Sequence, residues 1–381
     1  MRIAHIGLAS YFTENMGYQD DCLAHQNALD GHQVLYISNA AKYVDGSIVQ
    51  TGREDQVLAD GVRLIRLPYE HVVNNFVTDK FRKVSGLYQI LDAFAPDVML
   101  SHSLSYWSVR DVIRYKQDHP AVKLYADTHT DAYTSGTNWL SLHVLHRVFY
   151  RRLVQKALPY LEKYLCITDE SRVFSMEHYG VPEALTEFYP LGGTIPTEAE
   201  YAGQRKTRRA ELGVREDELL LVHAGKLEPQ KKTDTLLRAF AAVPELKAKL
   251  AVIGSIPEET KASLLAQMDA DPRVMYLGWK SGVELLDYLC AADLYCQPGK
   301  VSAIMQNAVC CRCPILLYPH PGYVKDYDYG NLLWVKTEAD MAEALRRIAA
   351  GETDLAALGQ GSQRCARELL DYRALAARLY R

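Results

Sequence analysis

At 381 residues and 43.0 kDa the chain is long enough for two domains with a core in each, which excludes a lone small module. Hydrophobic residues at 48% and charged residues at 24%, with 23 Gly and 15 Pro, are ordinary globular usage and exclude a disordered chain or a fibre. A net charge of −4, spread as 18 basic against 22 acidic residues up to position 195 and 25 of each afterwards, excludes a general nucleic-acid binder.

Short apolar runs that end in small or polar residues alternate with stretches of helical spacing, the pattern of parallel strands with crossover helices. In chain order the runs are RIAHIGLAS (2–10), HQVLYIS (32–38), VRLIRLP (62–68), DVMLSHS (97–103), VKLYADTH (122–129) and YLCITD (164–169). They predict one α/β domain over 1–195. The charged stretch 196–217 has no strand pattern and reads as a linker holding one charged helix at most. A second series follows over 218–365: LLLVHAG (219–225), LAVIGS (250–255), RVMYLG (273–278), LYCQPG (294–299), PILLYP (314–319) and LLWVKT (332–337). Residues 366–381 form an amphipathic helix expected to cross back to the first domain. Two Rossmann-like α/β/α domains in series predict a ligand cleft at the carboxyl ends of their sheets.

Eight cysteines in a chain of this length are no disulfide framework, and the opening MRIAHIGLAS lacks a secretory apolar segment. With no run near 18 apolar residues, the expectation is a reduced, cytoplasmic protein. Cys310, Cys311 and Cys313 do not have zinc spacing and read as buried thiols. Asp269-Ala270-Asp271 and Asp326-Tyr327-Asp328 match D-x-D only at chance level, so neither a metal nor any other cofactor is implied.

The densest chemistry lies in HAGKLEPQKKTDTLLRAF (223–240). A strand ends at Gly225, Lys226, Lys231 and Lys232 follow within seven residues, and a helix starts near Thr233. Lysines so placed can hold a diphosphate and neutralise it as a leaving group, or can be a solvated basic turn. Two histidines, His102 and His129, each follow a strand end. Asp127 and Asp131 flank the second, and either could act as base or nucleophile.

GKLEPQKKTDTLLRAF resembles the G-R-L-x-P-x-K-G-x-D-x-L-L-x-A-F signature of the retaining glycosyltransferases of family 4, which have the GT-B fold. It matches at Gly225, Leu227, Pro229, Lys231, Asp234, Leu237, Ala239 and Phe240, with Lys226 in the usual arginine's place. Gly254, Gly278, AADLYCQP (291–298) and Cys313-Pro314 keep the family order. So do the loop and helix around Gly17, SHS (101–103), ADTHTD (126–131) and YGVPEALTEFYPLGG (179–193). The resemblance spans nearly the whole chain and implies transfer of a hexose from a nucleoside-diphosphate sugar to a hydroxyl of a glycan, lipid-linked or small-molecule acceptor, with retention and without metal.

By that resemblance Lys226 and Lys231 hold the diphosphate. The turn Gly299, Lys300, Val301, Ser302 offers it amide N–H groups, and Gly17 lets the first loop approach it. His129 orients the sugar, while His102, Asp131 and Tyr133 line the acceptor side. The family's E-x7-E glutamates are missing: PGKVSAIMQNAVCCRCP (298–314) places Asn307 at the second, with Gln306 beside it, either able to bond a ribose diol. The chain is thus either a variant subgroup or a catalytically silent binder of nucleotide-sugar or glycan. Residues 143–164 put Arg147, Arg151, Arg152, Lys156 and Lys163 among apolar residues, the composition of a helix that lies on anionic lipid or of a packed helix with a basic edge. The excess of 25 Tyr over 8 Phe brings Tyr11, Tyr18, Tyr106 and Tyr133 to loops suited to sugar stacking.

Overall fold

The computed structural model describes residues 1–14, 18–44, 47–131, 135, 138–300, 302–320 and 327–380. Gly17, Tyr133, Val301 and the start of the second D-x-D copy lie outside the described residues. The chain divides into two units, Met1–Pro190 with Tyr372–Arg381, and Leu191–Asp371.

The first unit is built on an eight-stranded sheet. Its strands are β1 (Arg2–Gly7), β2 (Gln33–Asn39), β5 (Glu54–Val57), β6 (Arg63–Leu67), β7 (Val98–His102), β8 (Lys123–Thr128), β9 (Lys163–Cys166) and β10 (Thr186–Phe188), in the order β10-β9-β8-β7-β1-β2-β6-β5. All pairs are parallel except β5 with β6. A small hairpin, β3 (Ala41–Val44) with β4 (Ser47–Gln50), stands apart. The apolar runs lack alternation because both faces are covered, as a parallel sheet requires. One face packs under the helices Leu87–Phe94, Val109–Asp118 and Arg151–Ala157, through Leu91, Val112, Leu153 and Val154. The other is covered by helix Gln19–Leu29 through Leu23, and by Tyr372, Leu375, Ala376 and Leu379 of the returning chain. Each fully buried leucine here is worth about 1.5–3 kcal/mol.

The second unit has six parallel strands, β11 (Leu219–Ala224), β12 (Ala248–Ile253), β13 (Val274–Tyr276), β14 (Leu294–Gln297), β15 (Ile315–Leu317) and β16 (Leu332–Trp334), in the order β13-β12-β11-β14-β15-β16. Leu236, Leu237 and Phe240 of helix Thr233–Ala241 share a core with Met341, Leu345 and Ile348 of helix Glu338–Ala349. All eight cysteines are unpaired, and Cys310, Cys311 and Cys313 are buried.

Two expectations change here. The stretch read as a linker is a helix of the second unit, Glu198–Glu211, closed by a Thr197/Glu200 capping box. Two of its arginines turn toward the sheet: Arg205 and Arg209 both pair with Asp293, whose carboxylate also accepts the Leu220 amide, so this helix fastens the start of β11. The basic helix expected over 143–164 ends at Tyr160, since Lys163 and Tyr164 already belong to β9. It starts as a wide turn, Ser141–Tyr150, before the α-helix Arg151–Ala157. Among the described residues, no helix is long and apolar enough to cross a membrane.

Candidate functional site

In a doubly wound sheet, ligands bind where the strand order reverses, at the carboxyl ends. In the second unit that point lies between β11 and β14. Gly225 follows β11 with φ +130°, and Gly254 follows β12 with φ +142°, in the region that glycine alone occupies at no cost. A Cβ on Gly254 would lie 1.7 Å from the Gly225 carbonyl oxygen, and one on Gly299 would lie 2.2 Å from the Gln230 carbonyl. The backbones of Gly225 and Gly254 therefore touch, and that of Gly299 touches the short turn Pro229–Lys231, which together form a cradle.

Lys231 sits in that cradle. It is only 6% exposed, and its Nζ has no hydrogen-bond partner among the described residues. Burial, with Lys300 adding to it and Glu228 opposing, pushes its ammonium down to about 8. An unpaired buried ammonium costs folding free energy. Two further buried groups at this end of the sheet lack partners: the Nε2 of Gln297, whose Oε1 accepts from Ser302 Oγ at 3.2 Å, and the Oε1 of Gln306. Beneath them His223 ties β11 to β14 and to the following helix. Its Nδ1–H donates to the Cys296 carbonyl at 2.8 Å and its Nε2 accepts from Thr233 Oγ1 at 2.9 Å, while burial lowers it to about 4 and keeps it neutral.

The other residues expected at the diphosphate fare unequally. Lys226 is 70% exposed and pairs with Glu228 at 3.0 Å, because its position beyond the strand end turns it to solvent. Lys232 lies over the Tyr318 ring at 4.3 Å. In the turn from Gly299, the Lys300 N–H already donates to the Gln230 carbonyl at 2.8 Å. Ser302 is engaged with Gln297 as above. Gln306 is buried, whereas Asn307 is half-buried with Oδ1 beside Gly193.

In the first unit the reversal lies between β1 and β7. His102, expected to line the acceptor side, is buried there with both ring nitrogens occupied. Its Nδ1 is 2.6 Å from Asp127 Oδ2, and its Nε2 is 3.0 Å from His5 Nδ1. His5 Nε2 in turn lies 2.9 Å from Asn27 Oδ1. With that carbonyl accepting, His5 carries its proton on Nε2 and accepts from His102, which then also donates to Asp127 and is the imidazolium. The electrostatics agree. Burial lowers His5 to about 3, with the neighbouring His102 charge adding to it. Burial works against a charge on His102, but Asp127 outweighs it and raises the ring's affinity for its proton. Burial likewise works against the Asp127 carboxylate, and His102 outweighs it, holding the group below the usual range.

Asp127 is thus a counter-ion locked inside the sheet and no nucleophile, which corrects the alternative left open in the sequence. His129 is different: its side chain is 47% exposed, with Nε2 3.9 Å from Asp127 Oδ1. Asp131 is half-buried nearby in sequence. Tyr106, expected to stack on sugar, is fully buried with its hydroxyl on Ser101 Oγ at 2.7 Å.

The loop after β1 rests on this cluster. The rings of Tyr36, His5 and His102 stack within 16° of parallel, and Phe12 lies 4.1 Å from Tyr36. Arg66, fully buried, donates to the Phe12 and Ala41 carbonyls and pairs with Glu14 and Glu54. His5, Asn27 and Gln297 were missed from the sequence. For His5 and Gln297 the available signal was a polar residue inside an otherwise apolar strand run, as in RIAHIG and LYCQ.

Comparison with known proteins fits this geometry. Residues 204–364 match the family model described as Glycosyl transferases group 1. A D-inositol 3-phosphate glycosyltransferase of Saccharomonospora viridis is 30% identical over 179 residues, 42% of this chain and 42% of that protein. One from Kribbella flavida is 27% identical over 271 residues, 66% of this chain and 63% of that protein. The chain thus matches less than two thirds of the length of these curated relatives. Among solved structures, Anabaena HepE in complex with UDP and glucose aligns with a TM-score of 0.66 at 14% identity, covering 99% of this chain and 98% of that one. Sucrose-phosphate synthase from Thermosynechococcus elongatus aligns at 0.68 and 17%, covering 99% and 97%. The chain has the GT-B fold of two Rossmann-like units, and the stretch that matches the glycosyl transferases group 1 model lies within the second.

Proposed function

We propose that the protein is a retaining, metal-independent glycosyltransferase of the cytoplasm that moves a hexose from a nucleoside-diphosphate sugar to an acceptor hydroxyl. The observation that carries this is Lys231, a buried ammonium without a partner among the described residues, set beside Gly225 on a turn that Gly299 closely packs, at the sheet's switch point. Its positive charge meets the diphosphate and stabilises the charge that grows on it as the glycosidic bond breaks. With a lysine supplying that charge, no divalent ion is required. At pH 7 an ammonium at about 8 is protonated in roughly nine molecules of ten. The leaving phosphate takes the proton of the acceptor hydroxyl on the same face, which retains the anomeric configuration and needs no carboxylate nucleophile.

Gln306 and Gln297 each bring a buried polar atom without a partner, one an acceptor and one a donor, to the place where the family's glutamates are lacking. They suit the diol of a ribose or hexose. The same substitution favours a second reading, a catalytically silent binder of nucleotide-sugar.

Acceptors to try include glycans, lipid-linked sugars and polyol phosphates, the last because relatives bear the name D-inositol 3-phosphate glycosyltransferase. A lipid-linked acceptor is supported by exposed Trp139, Leu140, Val144 and Val148 beside exposed Arg147 and Arg152. Flotation with anionic liposomes that is unchanged in the doubly substituted Trp139→Ser, Leu140→Ser protein removes that part of the reading.

Thermal shift with UDP, GDP and ADP tests the whole. One nucleotide at 100 times its dissociation constant is expected to stabilise the protein by about 2.7 kcal/mol. HepE's complex with UDP makes UDP the first choice. No shift with any nucleotide sinks both readings. A shift with no hydrolysis or transfer of the matching sugar leaves the silent binder.

A further inference from the structure

We infer that Asp127 is the positioning residue for His129, its Oδ1 accepting the Nε2–H of that ring so that Nδ1 is presented outward as a hydrogen-bond acceptor. The inference rests on the reading above for what His129 then meets, a sugar hydroxyl, and on the geometry alone for the pairing itself.

The side chain of Asp127 is 1% exposed. One of its oxygens is fully engaged by His102 at 2.6 Å, while the other, Oδ1, is buried without a hydrogen-bond partner among the described residues. A carboxylate oxygen left unpaired away from water is costly, so a donor within reach is drawn to it. The Ser103 N–H also lies near the carboxylate but donates to the Asp127 main-chain carbonyl at 3.1 Å, and the donor free to move is His129 Nε2, 3.9 Å from Oδ1. The His129 ring is half in solvent and can pivot about its two side-chain torsions, whereas Asp127 cannot follow it. It is anchored on β8, in register with His102 on one side and Leu165 on the other. Rotation of the ring by about 1 Å at Nε2 brings the pair to hydrogen-bond length, and bonds of this kind in ligand-free sites are commonly long before they tighten.

The pairing fixes which nitrogen carries the proton. With Nε2–H held by Asp127, the outward Nδ1 is unprotonated and accepts a hydroxyl proton, the arrangement by which a carboxylate behind an imidazole sets its tautomer. His102 has a distinct part in this. As the imidazolium on the far side of Asp127, it keeps the carboxylate charged without competing for Oδ1. Two histidines thus share one carboxylate, the inner one as counter-ion and the outer one as the group that is aimed.

Nitrogen-15 spectra of histidine-labelled protein, recorded with UDP-glucose and with UDP, test the pairing without requiring turnover. The expected result is His129 in the Nε2–H form in the wild type, lost or mixed in Asp127→Asn. A wild-type His129 protonated on Nδ1 overturns the inference, and that measurement needs no variant to fold. Where a transfer or hydrolysis rate is measurable, Asp127→Asn is expected to lower kcat about tenfold with less than a twofold change in donor KM. It should have little further effect in a His129→Ala background. Effects that simply multiply in the double variant also overturn it, since Asp127 would then act through the sheet and not through His129. If no nucleotide-sugar is turned over, the reading of the function fails while the tautomer still decides the pairing.

Discussion

Lys231→Met is expected to make the second unit more stable while costing the protein its nucleotide affinity and most of its turnover. The sign follows from the ammonium's fall to about 8 in the fold, against 10.5 for an ordinary lysine. Because the unfolded chain binds that proton more tightly, the native state carries a penalty at pH 7. The penalty fades as pH rises from about 8 to 10.5 and is gone above it. At about 1.4 kcal/mol per unit it amounts to about 3 kcal/mol, an upper figure that methionine, similar in length and uncharged, should recover. Denaturant midpoints of the two proteins should therefore differ most near pH 7 and converge toward pH 10.5. In the same variant, stabilisation by UDP should disappear and turnover should fall by about a hundredfold, the usual loss when one donor to a developing charge is removed. A variant less stable at pH 7 that still binds UDP would sink the assignment. The pairing of gained stability with lost binding is the mark of a residue kept for function at the expense of the fold.

The second large effect is purely steric. Gly254→Ala places a methyl 1.7 Å from the Gly225 carbonyl oxygen, at φ +142°. That oxygen cannot retreat, since Gly225 N–H is held by the Ile253 carbonyl at 3.0 Å and Leu227 N–H by the Ser255 carbonyl at 2.9 Å. The second unit should lose about 4 kcal/mol or more, the range reserved for broken special backbone sites, while the first unit keeps its own transition in two-phase unfolding. Gly203→Ala is the control. It lies inside the helix Glu198–Glu211 with open space around the added Cβ, and it should be neutral or stabilising by about 0.5–1 kcal/mol. Equal behaviour of the two alanine variants would remove the argument that the Gly225–Gly254 contact shapes the cradle.

Most of the sheets could be read from the sequence, because a strand buried on both faces is a short apolar run and these runs are sharply bounded. What escaped has physical causes. β5 (Glu54–Val57) is an exposed edge strand whose polar residues give no alternation, and it is held by its antiparallel register with β6. The helix Glu198–Glu211 looked like linker because its anchoring is ionic, through Arg205 and Arg209, and not apolar. Within the site, Gly225, Gly254 and Lys231 were legible because their spacing along one strand-turn-helix is a local matter. The His5–His102–Asp127 chain was not, since it exists only through the side-by-side register of β1, β7 and β8, residues far apart in sequence. The excess of tyrosine suggested sugar contacts, yet Tyr36, Tyr106, Tyr115, Tyr164, Tyr179 and Tyr189 are all core residues of the first unit. Their abundance reflects how this sheet is filled more than what it binds.

The first unit is discontinuous, interrupted by the whole of the second, and this orders events during synthesis. When residue 190 leaves the ribosome, the sheet face bearing Val98 and Leu100, covered only by Leu23 of the helix Gln19–Leu29, still lacks Tyr372, Leu375, Ala376 and Leu379. The second unit, Leu191–Asp371, is contiguous and can close as soon as it is made. The half that is translated first is therefore finished last, and for the 181 residues between it carries a partly uncovered apolar face, the condition under which nascent chains call on chaperones.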